Sequence, residues 1–312
     1  MSAAERVGVV GGGRWGLALA CAAHRTGARV TLMTRRGEPE AQHRGITVVD
    51  AFKPLAEGAS LILVAVPSEV MPGVARSLGE VVDGSHFLVH GVRGLSHEGL
   101  HTLTDVLRAE TAARRVGALA GPVTADDLID GRPAVIAMAS RYPEVNEAVI
   151  AALGGPLLRV STTQDLTGLE WASALVGCLV IALGYGRALN IAPGLLAGLL
   201  TRGIHEASQL AAAAGAEEKT FYTIAGIGDL MAAMGQDHRP EARLGAALAL
   251  GDGLDVARQK AGQRIEAITL MPRVVALAKR ERVEAPVFET IARALTGSIT
   301  PQEILSGLMT RR

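Results

Sequence analysis

Three glycines near the start of the chain have the spacing of a phosphate-binding turn. Gly11, Gly13 and Gly16 follow a short apolar run that begins at Val7, and they precede a helical pattern rich in alanine and leucine. In dinucleotide-binding folds the first glycine permits a tight turn, the second lets the backbone approach a pyrophosphate, and the third lets helix and strand pack closely. The first N–H groups of the helix then face the phosphates. This context predicts a nucleotide site; the alternative is a glycine-rich turn that binds no nucleotide.

The residues after the second predicted strand bear on the choice of cofactor. Arg35 and Arg36 lie there, and the first carboxylate is Glu38. An acidic residue at this point would bind the ribose 2′-hydroxyl of NAD, whereas an arginine accommodates the 2′-phosphate of NADP. The two arginines therefore favour NADP(H) over NAD(H). The alternative is a pair of solvated arginines in a loop.

The first half of the chain alternates between apolar, strand-like runs and helical segments. The predicted strands are residues 7–10, 29–33, 61–66, 85–89, 116–119, 135–139 and 157–160. The predicted helices between them include residues 15–26, 69–80, 99–110 and 142–153. Continuous apolar strands separated by helices indicate a mostly parallel sheet with both faces covered. Ligands of such sheets bind at the carboxyl ends of the strands.

The second half of the chain is helical almost throughout. Its segment 168–190 is apolar nearly all round, which indicates burial at the centre of a helical domain. We therefore predict an α/β protein, with an N-terminal Rossmann-type doubly wound sheet followed by an all-α domain. The expected domains are an NAD(P)-binding unit at 1–163 and a helical substrate unit at 164–312.

Bulk composition excludes several classes of partner. Lysine plus arginine and aspartate plus glutamate balance at 31 each, without a long run of one sign, so nothing indicates a nucleic-acid surface or a polybasic membrane contact. Cys21 and Cys178 lie in apolar helical patterns, typical of small core residues rather than a disulfide or metal pair. The start of the chain lacks a secretory signal pattern, and segment 171–186 is short for a membrane span. We expect a cytoplasmic protein with no membrane insertion and no metal.

Five motifs occur in the order seen in bacterial NAD(P)-dependent glycerol-3-phosphate dehydrogenases, and the chain resembles that family over almost its whole length. The motifs lie at residues 11–20, 66–68, 121–122, 201–203 and 226–230. The resemblance implies a Rossmann domain followed by a helical domain like that of 6-phosphogluconate dehydrogenase. It also implies reduction of a small phosphorylated substrate, dihydroxyacetone phosphate, to sn-glycerol 3-phosphate. The apolar helices of the second half are compatible with a homodimer.

On the cofactor side the resemblance is close. It implies that Arg35 lies where the family contacts the adenosine ribose, and that Glu266 corresponds to the glutamate of a V-V-E-G segment. The full set of implied cofactor-binding residues is Gly11, Gly13, Arg14, Trp15, Gly16, Arg35, Pro67, Ala125 and Glu266.

On the substrate side the chain departs from the family pattern. Val176 stands where relatives have the lysine that acts as catalytic acid and base, and Gly177 stands where they have an asparagine. The family's second lysine corresponds to Arg93, which keeps the charge but exchanges protons poorly. Of the 31 basic residues only four are lysines, and all four lie in polar contexts: Lys53, Lys219, Lys260 and Lys279. Acid–base assistance is worth roughly 10²–10⁴-fold in rate, so the standard activity is open to question.

The phosphate-binding segment of the family is also altered. Asp229 is retained, but Ala233 replaces a threonine and residues 239–241 replace a serine–arginine–asparagine triplet. We predict catalytic roles for Arg93 and Asp229, and substrate contacts for Gly121 and Arg239, the last as compensation for the lost arginine.

Histidines are alternative proton donors, since imidazole titrates near neutrality. The candidates are His90, His97, His205 and His238, although a surface or hydrogen-bonded role is the commoner one. Glu170 is expected to cap a helix or lie on the surface. Two functions stay open: an NAD(P)-dependent oxidoreductase, acting on this or another substrate, and a non-catalytic NADP(H)-binding protein that serves as a sensor or interaction partner.

Overall fold

The computed structural model describes residues 5–35 and 39–310, and their contacts divide into two compact units. The first unit is Met1–Glu170 and the second is Trp171–Arg312. The division falls inside a long helix, Leu166–Ala188, and the domain boundary predicted from the sequence, between 163 and 164, lies just before that helix.

The first unit is built on one eight-stranded sheet. Its strands are β1 (Arg6–Val10), β2 (Arg29–Met33), β3 (Thr47–Val49), β4 (Leu61–Val64), β5 (Phe87–His90), β6 (Arg115–Ala120), β7 (Ala134–Ala139) and β8 (Leu158–Thr163). Their spatial order is β3-β2-β1-β4-β5-β6-β7-β8, and every neighbouring pair is parallel except the antiparallel β6 and β7. The doubly wound sheet is confirmed. Strand β3 was not predicted because it has only three residues and no fully buried position.

Seven helices of the first unit connect the strands. They are α1 (Arg14–Arg25), α2 (Pro39–His43), α3 (Phe52–Gly58), α4 (Met71–Gly79), α5 (Leu103–Glu110), α6 (Ala125–Asp130) and α7 (Pro143–Leu153). Helix α1 buries eight consecutive residues, and seven of them join the core shared with β1 and β4. Helix α5 begins four residues later than predicted, because the Thr102 hydroxyl accepts the N–H of Asp105 and so caps it there.

The register of the central strands brings three chain segments to one edge of the sheet. Val10 pairs with Val64, and Val64 pairs with His90, so β1, β4 and β5 end side by side. The segments that follow these strands, at 11–16, 65–70 and 91–102, therefore start at the same carboxyl edge. This is the edge at which ligands of open parallel sheets bind.

The second unit is helical. After α8 (Leu166–Ala188) come α9 (Pro193–Ala212), α10 (Asp229–Ala233), α11 (Pro240–Ala249), α12 (Leu254–Ala261), α13 (Glu266–Glu281), α14 (Pro286–Leu295) and α15 (Pro301–Thr310), with short helical turns at Glu218–Tyr222 and Ile224–Gly228. Prolines begin several of these helices, where the missing N–H costs nothing. Helices α8 and α11 approach closely: a Cβ on Gly245 would lie 2.0 Å from the carbonyl oxygen of Ile181.

Helix α8 is the one helix of the described residues that is long and apolar enough to cross a membrane, but 89% of its most apolar stretch is buried within the chain. Burial of this kind is what the core helix of a soluble protein shows. Cys178, on this helix, and Cys21, on α1, are both buried and unpaired, and burial raises the pKa of each thiol.

Candidate active site

The phosphate-binding turn requires glycine at its first and last positions. Gly11 has a φ of +118°, and a Cβ there would lie 2.3 Å from the carbonyl oxygen of Ala65. A Cβ on Gly16 would lie 1.8 Å from the carbonyl oxygen of Gly11. Neither contact is tolerable for a side chain, because both partners are backbone atoms that cannot move aside. The tight turn and the close helix packing are therefore built into the backbone.

The middle glycine has a different environment. Gly13 precedes α1, is exposed, and has no atom within 4 Å of where a Cβ would stand. No side chain caps this helix, and its first turn contains no acidic residue. A 12-residue helix whose start has no side-chain cap and no acidic residue suits an anion such as a pyrophosphate.

Arg14 and Ala125, which are 111 residues apart in sequence, lie at the starts of two neighbouring helices. The Arg14 guanidinium donates from Nε and Nη2 to Oδ1 of Asp126, at 3.0 and 2.8 Å. That hydrogen bond raises the pKa of Arg14 above its ordinary value. Ala125 is the first residue of α6, directly after the capping residue Thr124. Arg14 is therefore already engaged at the rim of the turn.

Trp15 packs its indole against the segment after β5. A Cβ on Gly91 would lie 2.6 Å from Trp15 Nε1, so only glycine fits beneath the ring. The indole N–H is buried and has no hydrogen-bond partner among the described residues. This contact links the phosphate turn to the carboxyl end of β5.

Two further residues predicted to bind the cofactor are exposed at the same edge. Arg35 follows β2, and the preceding Thr34 packs against the phosphate turn, where a Cβ on Gly12 would lie 2.2 Å from Thr34 Oγ1. Pro67 follows β4 and precedes a helical turn at Ser68–Val70. Arg36 and Glu38, also named in the cofactor argument, lie outside the described residues.

The residues predicted to act on substrate in the first unit follow β5 and β6. Arg93 is half-buried in the segment after β5. Gly121 directly follows β6 with a φ of +113°, a conformation that favours glycine. Strands β5 and β6 are parallel, so both residues leave the sheet at its carboxyl edge.

His90 and Glu170 form a buried polar network. His90 Nε2 lies 2.8 Å from Glu170 Oε1, and its Nδ1 accepts the N–H of Val92 at 3.2 Å. Glu170 also accepts the N–H groups of Leu103 and Thr104, at 2.7 and 3.1 Å. Both ring nitrogens are occupied. The Glu170 carboxylate is buried and caps the start of α5, whereas the sequence placed it at the start of its own helix or on the surface. We therefore assign this pair a structural role and not the role of proton donor.

His97 has a different setting. Its ring is half-buried, and Nε2 lies 3.3 Å from the hydroxyl oxygen of Ser68, a side chain that is only 1% exposed. The other two candidates, His205 and His238, are exposed on the second unit.

In the second unit, the position at which the resemblance implies a lysine in relatives is apolar and buried. Val176 is fully buried on α8. Asp229, at the start of α10, is also fully buried, and its Oδ1 accepts a hydrogen bond from Arg239 Nη1 at 2.9 Å. Glu266 begins α13, where the helix dipole favours a carboxylate, and it lies 3.5 Å from Arg264. Arg239 is thus the ion-pair partner of a buried aspartate.

Comparison with known proteins decides the family. Two family models, for the N-terminus and the C-terminus of NAD-dependent glycerol-3-phosphate dehydrogenase, match residues 40–146 and 165–306. A glycerol-3-phosphate dehydrogenase from Bradyrhizobium diazoefficiens is 30% identical over all of this chain and 98% of its own length. The chain belongs to the NAD-dependent glycerol-3-phosphate dehydrogenase family.

Two further members of the glycerol-3-phosphate dehydrogenase family are similar to this chain over almost its whole length. The enzyme from Fusobacterium nucleatum is 28% identical over 98% of this chain and 97% of its own length. The crystal structure of the glycerol-3-phosphate dehydrogenase from Coxiella burnetii has a TM-score of 0.91 and 27% identity, and the similarity covers 99% of this chain and 100% of that one. The strand–turn–helix start, at residues 6–53, also matches a pyridine nucleotide-disulphide oxidoreductase model.

The motifs shared with the dehydrogenase family did not reveal the contacts of the polar residues beside them. Ser68 lies in the quoted motif at 66–68 and His97 was a named candidate, yet nothing in the sequence indicated that they meet. The same holds for Glu206, a buried carboxylate that accepts the N–H of Val287 at 2.8 Å and so caps α14.

Proposed function

We propose that this protein is an NADP(H)-dependent reductase of a small phosphorylated ketone, dihydroxyacetone phosphate or a close analogue. The observation that carries the proposal is the glycine turn, whose first and last positions exclude side chains while the middle one opens onto free space. A turn of this geometry, in a chain that matches the dehydrogenase family from end to end, supports retained nucleotide binding.

The residues of the first unit suit the parts of a dinucleotide. The N–H groups at the start of α1 would hold the pyrophosphate. Arg35, exposed after β2, would contact the 2′-phosphate, which supports NADPH over NADH. Pro67 and Ala125, together with Glu266 of the second unit, are assigned to the cofactor through the family resemblance. When bound, the reduced nicotinamide supplies the hydride.

The groups for the substrate differ from those of relatives. Arg93 would stabilise the negative charge that develops on the carbonyl oxygen, since a guanidinium keeps its charge at all ordinary pH values. Gly121, Asp229 and Arg239 are proposed to shape the substrate region, Arg239 by way of the carboxylate of Asp229. Val176 cannot donate a proton. Without a substitute donor we expect turnover roughly 10²–10⁴-fold below that of lysine-containing enzymes.

A second candidate function rests on Val176 itself. A fully buried isopropyl group at the acid–base position is compatible with a protein that binds NADP(H) without turning it over and acts as a sensor or partner. We further propose that the protein acts in the cytoplasm and that it forms a homodimer. Light scattering of the purified chain tests the homodimer directly.

The test is cofactor binding and NADPH oxidation by the purified protein. We expect oxidation of NADPH with dihydroxyacetone phosphate, and slower oxidation of NADH. Arg35→Ala should weaken NADPH binding about tenfold, the loss of one charged contact of about 1.4 kcal/mol, and leave NADH binding unchanged. Arg29→Ala is the matched control, because Arg29 is exposed at the opposite end of the same strand.

Three results would change the proposal. NADPH binding without oxidation, with any triose phosphate, would favour the sensor function. Equal effects of Arg35→Ala on both cofactors would refute the assignment of NADP(H). No binding of either nucleotide would refute the proposed function as a whole.

A further inference from the structure

We propose that His97 donates the proton in this reduction and that Ser68 positions its ring. The proposal rests on the proposed function and names the group that takes over the task of the lysine. The observation behind it is that the buried hydroxyl of Ser68 contacts the partly exposed imidazole of His97 at the ligand-binding edge of the sheet.

The two residues reach this edge from neighbouring strands. Ser68 begins the helical turn after β4, and His97 lies in the segment after β5. Because β4 and β5 are parallel and paired up to Val64 and His90, both segments leave the sheet at its carboxyl end. In doubly wound sheets the half of a dinucleotide beyond the phosphate turn lies over these strands.

The loop that carries His97 is closed on itself. The N–H of Ser96 donates to the carbonyl oxygen of His101 at 2.9 Å, and the N–H of Glu98 donates to Ser96 Oγ at 3.3 Å. Leu95, directly before them, is buried. The imidazole therefore stands on an ordered turn, which a proton donor needs if it is to meet its acceptor at hydrogen-bond distance.

Among the histidines of the first unit whose side chains the structure describes, no other combines these features. His90 uses both ring nitrogens in a buried network. His86 precedes β5 at the opposite end of the sheet and lies near Asp83 and the carbonyl of Ala56. His24 lies in the last turn of α1, and His101 is exposed. His97 alone is half-buried at the carboxyl edge with a hydroxyl partner.

The geometry defines which nitrogen acts. Nε2 is directed to Ser68 Oγ, which leaves Nδ1, an atom with no hydrogen-bond partner among the described residues. As the carbonyl carbon receives the hydride of the reduced nicotinamide, its C=O π bond opens and the oxygen takes the proton from Nδ1 of the imidazolium. The products are the alcohol, the oxidised nicotinamide and neutral imidazole, and solvent reprotonates the ring.

Other charged or titratable groups lie on the same two segments. They are Glu69 on the turn after β4, and Arg93, Glu98 and His101 on the segment after β5. Arg93 contributes a fixed positive charge and no proton. Only a protonated ring can donate a proton, so the reduction should slow at alkaline pH.

The first test compares His97→Asn with His101→Asn, a histidine four residues away in the same loop. His97→Asn should lower kcat about 10²–10³-fold, abolish the alkaline fall in rate, and leave the KM for substrate and the Kd for NADPH within about twofold. Added imidazole should restore part of the rate. Ser68→Ala should cost about tenfold in kcat and shift the midpoint of the pH profile, a change that a packing defect alone would not cause. His101→Asn should match the wild type.

A second readout does not depend on turnover. In NMR spectra of histidine-labelled protein, the ring signal lost in His97→Asn should shift when NADPH and dihydroxyacetone phosphate are added together. Turnover that is undiminished in His97→Asn would overturn the role of His97 and leave the proposed function standing. If the wild type shows no turnover and its His97 signal does not shift when both ligands are added, the role of His97 and the proposed function are both overturned.

Discussion

The buried ion pair between Asp229 and Arg239 gives a prediction about stability that also bears on substrate binding. Asp229 is 0% exposed, Arg239 is 7% exposed, and Nη1 and Oδ1 are 2.9 Å apart. Two unit charges about 4 Å apart interact by about 4 kcal/mol at an effective dielectric constant near 20. Breaking a buried pair by removing one partner typically costs about 3–5 kcal/mol, because the other charge stays buried and uncompensated.

The perturbation is Arg239→Met, which keeps the apolar stem and removes the guanidinium. We expect a loss of about 3–5 kcal/mol in the free energy of unfolding. For domains of roughly this size about 1 kcal/mol corresponds to about 3 °C, so Tm should fall by about 10–15 °C. Differential scanning calorimetry and urea denaturation measure this. Arg243→Met is the control: Arg243 is exposed on α11, the helix that Arg239 directly precedes, and its loss should cost no more than about 0.5 kcal/mol.

A double-mutant cycle with Asp229→Asn separates the pair from other effects. If the two charges stabilise each other, the double variant should lose about 2–3 kcal/mol less free energy of unfolding than the two single variants lose in sum. A Tm for Arg239→Met equal to that of Arg243→Met would refute the reasoning. Asp229 would then not depend on Arg239 for its stability in the folded state.

Two further predictions concern the glycine turn and a buried carboxylate. Gly16→Ala should prevent stable folding, since its Cβ would stand 1.8 Å from a backbone oxygen, whereas Gly13→Ala should keep the wild-type Tm and lose NADPH affinity by fluorescence titration. A folded Gly16→Ala, or full affinity in Gly13→Ala, would contradict this. Burial raises the pKa of Glu206 from 4.5 to about 7, so the folded state holds a proton that the unfolded chain releases, and stability should fall by up to about 3 kcal/mol between pH 4.5 and 7. Glu206→Gln should flatten that slope in urea titrations at pH 5, 6, 7 and 8; an unchanged slope would show that other groups cause it.

The main elements of the fold could be predicted from the sequence because their signals are local. A buried parallel strand is a continuous apolar run, and every run so predicted in the first half is a strand. Thr47–Val49 was not predicted, because a strand of three residues with no fully buried position shows no hydrophobic periodicity. The start of α5 was misplaced because a threonine cap, four residues into the predicted helix, decides it.

The polar contacts of the candidate site could not be predicted, because they join residues far apart in sequence. Ser68 and His97 are separated by 29 positions and His90 and Glu170 by 80, and each contact depends on strand register. Sequence motifs name residue types but not which nitrogen of a ring is engaged. His90 and His97 were therefore equal candidates in the sequence. In the structure His90 uses both ring nitrogens in a buried hydrogen-bond network, whereas His97 does not.

Hydride transfer to the substrate carbon tests the central claim most directly. Deuterium-labelled NADPH, carrying the label at C4 of the nicotinamide, is incubated with the protein and dihydroxyacetone phosphate, and the product is analysed by mass spectrometry and NMR. The account predicts glycerol 3-phosphate with a single deuterium at C2. NADPH that stays bound and unoxidised, with no labelled alcohol formed, would contradict it and leave a nucleotide-binding protein without reductase activity.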